Sequence, residues 1–84
     1  MPNVSKIFKE LERPTANGYE IMVCIQYHTR TNWSWVAIRY PVSCERLQEP
    51  SEVLMDFSGM NWYDIIAWVN NYITSHPDDG FWWI

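Results

Sequence analysis

Residues 19–40 read YEIMVCIQYHTRTNWSWVAIRY, two apolar runs on either side of a short polar break. In the first run Tyr19, Ile21, Val23, Ile25 and Tyr27 alternate with Glu20, Met22, Cys24, Gln26 and His28. That is the period of two imposed by a β-strand. β-branched and aromatic residues dominate both runs, and they pack better on a pleated surface than along a helix. The break TRTN at 29–32 is short, so the two strands join as a hairpin.

Working outward, NVSKIFKELERP (3–14) sets Val4, Ile7, Phe8 and Leu11 at helical spacing, with Lys6, Lys9, Glu10 and Arg13 off that face. Asn3 can cap this helix and Pro14 ends it. TANG (15–18) then supplies a turn in which Gly18 is free to take a positive φ. Beyond the hairpin, PVSCERLQEP (41–50) carries a proline at each end and reads as a loop, or as one helical turn at 44–47. EVLMDF (52–57) alternates again and reads as a third strand. SGMNWYDIIAWVNNYITSHP (58–77) is the clearest helix, with Trp62, Ile65, Ile66, Val69, Tyr72 and Ile73 on one stripe, Ser58 or Asn61 as cap, and Pro77 as stop. The expectation is an α+β fold in the order α-β-β-β-α, a single small domain over 1–84. Its three-stranded antiparallel sheet carries both helices on one face, and a short aromatic tail follows.

The tail DDGFWWI (78–84) raises the question of where four large apolar groups go. Asp78 and Asp79 read as a solvated turn before Gly80. If Ile21, Val23 and Ile25 face the helices together with Val36 and Ile38, then Met22, Cys24, Trp33, Trp35 and Ala37 occupy the second face. Two outcomes follow for Phe81, Trp82, Trp83 and Ile84. They fold back as a short strand or lid over Trp33 and Trp35, or they join those residues in a surface for a partner.

Charge and composition narrow the function. With 84 residues, 17% of them aromatic, the chain can bury a core and is not disordered. Its net charge is -4 and its 6 basic residues are dispersed, which argues against phosphate-backbone binding. The order helix, three strands, helix is also that of a double-stranded RNA-binding domain, but Asp64 stands where such a domain needs basic residues. A single-stranded nucleic-acid binder, stacking bases on the tryptophans with help from Arg30 and Arg39, remains a remote alternative.

No signal core and no run of about 20 apolar residues is seen, so a cytoplasmic chain with Cys24 and Cys44 as free thiols is expected. No cofactor or metal is expected, because no C-x-x-C or H-x-x-x-H spacing occurs. Cys24 and His28 lie about 13 Å apart along a strand, too far for a nucleophile and its base, and only three glycines are present, in no phosphate-binding pattern. The chain therefore reads as no enzyme.

What is left is a small acidic protein-binding module, a stoichiometric inhibitor or adaptor of a protein or ribonucleoprotein partner with a basic surface. The residues expected to make contact are Trp33, Trp35, Phe81, Trp82, Trp83, Asp78, Asp79 and Arg39. In size and charge the chain is similar to phage-encoded inhibitors of host machinery, anti-CRISPR proteins among them. That likeness implies an acidic surface set in a nucleic-acid channel with tryptophans as anchors. The alternative is a homodimer formed through the aromatic sheet face or the tail.

Overall fold

The structure, a computed structural model, describes residues 2–42 and 51–84. The helical turn expected at 44–47, with Cys44, lies outside the described residues. The element order is α1 (Val4–Leu11), β1 (Tyr19–Tyr27), β2 (Trp33–Pro41), β3 (Glu52–Asp56), α2 (Trp62–Ser75) and β4 (Gly80–Trp83). The helices start at asparagine caps: Asn3 Oδ1 accepts from the Lys6 amide at 3.1 Å, and Asn61 Oδ1 from the Asp64 amide at 3.0 Å. Gly18 takes a φ of 84° in the turn before β1.

The strands form one sheet in the order β3-β2-β1-β4. β1, β2 and β3 are antiparallel neighbours, as expected, but the sheet has a fourth strand and is mixed. Residues 80–83 are a short strand, one of the expected outcomes, and not a lid: they pair in parallel with β1, Phe81 opposite Ile21 and Trp83 opposite Val23. Parallel pairing needs a crossover, and α2 provides it, running from the β3 edge to the β4 edge. Its 14 residues make a rod of about 21 Å, long enough to cross four strands about 14 Å wide.

The register corrects the expected faces. Tyr27 pairs with Trp33, Ile25 with Trp35 and Val23 with Ala37, so odd-numbered residues of both strands share a side. Ile21, Val23, Ala37 and Phe81 pack beneath Phe8 of α1 and Ile65, Val69 and Ile73 of α2. Trp35 belongs to this helix-bearing side, with Trp33 two residues along. Val36 and Ile38 face the other way, beside Met22, Cys24 and Trp82. Period two was right; the relative phase of the two strands was not. Both parities of β2 are apolar, so hydrophobicity alone cannot select between them.

Three contacts lock the last strand in place. Arg13, directly after α1, exchanges backbone hydrogen bonds with Phe81 (2.9 and 3.0 Å) along the outer edge of β4. Its guanidinium donates to the carbonyls of Ile73 at 2.7 Å, His76 at 2.6 Å and Asp79 at 2.8 Å, closing the negative end of α2 with a cation. Gly80 passes so near that a Cβ there would lie 2.8 Å from the Thr15 amide nitrogen. At the opposite edge, β3 is short, bulged and ends in Glu52 and Asp56, features that discourage another strand from adding.

Candidate functional site

The tail residues go mostly into the fold. Phe81 is in the core at 1% exposure, and Trp83 packs on Phe8 and Trp35 with ring centroids 5.0 and 6.0 Å apart. Trp82, on the second face, is 39% exposed, and its indole N–H donates to the Tyr40 hydroxyl. Burial, and then the hydrogen bond to Glu20, push that hydroxyl's pKa up to about 12.

Asp78 is exposed, but Asp79 is buried, which corrects its reading as a solvated turn residue. Its carboxylate accepts from Arg39 Nε at 2.9 Å and from Asn17 Nδ2 at 2.6 Å. Burial raises its pKa, while the Arg39 and Asn17 bonds lower it, and the balance lies below the ordinary carboxylate value. Arg39 also lies 3.9 Å over the Tyr19 ring. With its guanidinium held internally, Arg39 has little left to offer a phosphate, which weakens the nucleic-acid alternative.

The open aromatic surface lies at the hairpin end of the sheet. There β1 and β2 outrun the helices, so Ile25, Tyr27 and Trp33, all on the helix-bearing side, are 43, 68 and 50% exposed. Next to them is a groove of about 390 Å³ between the start of β2 and the β3–α2 connection. Trp33, Trp35, Trp62, Met60 and Ile65 supply its apolar surfaces, and Trp35 meets Trp62 edge to face at 5.2 Å. Asn32, Ser34 and Ser58 supply the polar ones. Gly59, at φ 76°, turns the chain here and leaves open space where a Cβ would stand.

A carboxylate sits behind the two serines. Asp56 Oδ1 accepts from Ser34 Oγ at 2.8 Å, Ser58 Oγ at 2.7 Å and the Ser58 amide at 3.0 Å. The Ser58 bonds and then the Ser34 bond hold its pKa below the usual carboxylate range. His28 Nε2 lies 2.6 Å from Ser34 Oγ and 3.6 Å from Asp56 Oδ2. These are the residue types of a hydrolytic triad in a different arrangement. Ser34 has one proton and gives it to Asp56, so it must accept from His28 Nε2–H, and the imidazole is no base toward it. No family model, curated protein or solved structure matches the chain.

Among the described residues no group of His, Cys, Asp and Glu could hold a metal. Cys24 is a buried free thiol whose pKa is raised by burial. No described helix is long and apolar enough to cross a membrane.

Of the expected contact residues, the structure thus brings Trp33 and Trp35 to one groove. Phe81 goes to the core, Trp83 packs half-buried against it, Asp79 and Arg39 form an ion pair, and Trp82 goes to the opposite side. Asp56 and Trp62 were missed as site residues. Asp56 looked like an ordinary solvated strand residue, and Trp62 lay on the helix stripe. The signal that could have found Asp56 is local, since D-x-S at 56–58 is the pattern in which an aspartate caps a turn.

Proposed function

We propose that the protein is a non-catalytic binding module, an inhibitor or adaptor that docks on another protein through the hairpin end of its sheet. One observation carries this reading: Ile25, Tyr27 and Trp33 are exposed side by side on the apolar side of the sheet and adjoin the aromatic groove. An apolar patch of this kind, rimmed by polar residues, is the usual mark of a docking site, and tryptophan and tyrosine are its most frequent anchors. The net charge of -4 supports a partner with a basic surface.

The test is affinity capture from the native host with the unmodified chain and with Trp33→Ala, Tyr27→Ala and Trp82→Ala. Trp33→Ala and Tyr27→Ala should lose the captured protein, and Trp82→Ala, on the other side of the sheet, should keep it. Capture that survives both hairpin substitutions removes this reading. Self-association that disappears with the same two substitutions in size-exclusion chromatography would replace the foreign partner by a second copy.

A further inference from the structure

The groove beside Trp33 has a chemical preference of its own. Three tryptophans, Trp33, Trp35 and Trp62, line it, and among the described residues no Lys or Arg does. Asp56, its side chain 45% exposed, lies one hydrogen bond behind the lining residues Ser34 and Ser58. All three of its hydrogen bonds among the described residues fall on Oδ1; among the same residues Oδ2 accepts none and lies 3.6 Å from His28 Nε2. Arg30, in the hairpin loop, is exposed, and among the described residues neither it nor any other Lys or Arg pairs with this carboxylate. An anion placed here would be repelled. A purely apolar group would cover Asn32 and the two serines without replacing their water. A guanidinium answers both: its plane stacks on indole, and its edge carries several donors for a carboxylate, an amide oxygen and a hydroxyl.

We infer that the groove receives an arginine side chain of the partner protein, stacked on Trp33 with its charge toward Asp56. This inference rests on the docking face proposed above and names its central contact. Lysine fits less well, because an ammonium neither stacks flat nor offers a planar set of donors.

The probes are the capped tripeptides glycyl-arginyl-glycine, glycyl-leucyl-glycine and glycyl-glutamyl-glycine, titrated into the intact chain while the tryptophan indole N–H signals are followed by NMR. The arginyl peptide should move the signals of Trp33, Trp35 and Trp62 and bind roughly five- to thirty-fold more tightly than the leucyl peptide, with the glutamyl peptide silent. Its binding should weaken as salt is raised, a measurement that needs no variant. Trp33→Ala should reduce it about two- to thirty-fold and Asp56→Asn about two- to five-fold, while Trp82→Ala leaves it unchanged.

Equal or tighter binding of the leucyl peptide overturns the inference, and so does an arginyl peptide that moves none of the three signals. In either case, partner capture that is still lost in Trp33→Ala leaves the docking face standing and removes only arginine as its occupant. Capture unaffected by Trp33→Ala and Tyr27→Ala removes both.

Discussion

Trp83 and Trp33 both stand on the helix-bearing side of the sheet, and they meet different fates. Trp83 lies beneath Phe8 and beside Trp35, while Trp33 is half in water. Strand alternation puts each on its side; only the reach of the helices decides whether that side is covered. β4 is held under α1 by the Arg13 bridge, beside the end of α2 by the Arg13 guanidinium, and to β2 by the Asp79 and Arg39 pair. The hairpin end has no such cover, because α2 starts at Trp62 on the far side of the groove. Aromatic residues of one kind thus close a core at one end and form an open surface at the other.

The contrast breaks first at Phe81. Phe81→Ala should cost about 3–5 kcal/mol, most of the stability of a chain this size, and deletion of residues 81–84 should leave no cooperative unfolding transition. A truncated chain that unfolds in urea at the same midpoint as the intact one would mean that β4 is no part of the fold.

The ion pair that holds the last strand comes next. Asp79→Ala should cost about 2–4 kcal/mol, toward the low side for a buried pair because Arg39 is partly exposed. The pH dependence has a definite sign. An aspartate whose pKa is lowered by folding adds stability above its unfolded value, near 3.9, and that contribution is lost as pH falls through the folded pKa. Acid unfolding below about pH 4 should therefore be shallower in Asp79→Asn than in the unmodified chain. Parallel pH profiles would show that Asp79 contributes nothing to the acid limb.

Smaller again is Gly80→Ala, whose methyl group must push against the backbone of Thr15. A loss of about 1–3 kcal/mol is expected, and an unchanged melting temperature would mean that the chain ends part there at little cost. Trp33→Ala closes the series with a stability change of about 1 kcal/mol or less, since half of that side chain is already in water. A Trp33 loss equal to that at Phe81, in the same denaturation experiment, would erase the distinction between core and open surface.

Much of this could be read along the chain. Alternation in 19–27 and the β-branched and aromatic content of 33–40 mark two strands, Asn3 marks the start of the first helix and Ser58 or Asn61 that of the second, and Gly18 marks the turn, because each signal is carried by residues a few positions apart. The face of β2 was not legible from hydrophobicity, since Trp35 and Ala37 compete with Val36 and Ile38. The pairing of Tyr27 with Trp33 across loop 28–32 settles it.

Local spacing thus determined the two helices, the first three strands, the aromatic core and the absence of a basic stripe, all properties of neighbouring residues. Tertiary structure alone decided the rest. Pairing of β4 with β1, Arg13 closing α2, Asp79 on Arg39 and Asp56 behind the groove join residues separated by 22 to 66 positions. Such contacts depend on which edge a crossover helix reaches, and periodicity carries no information about that.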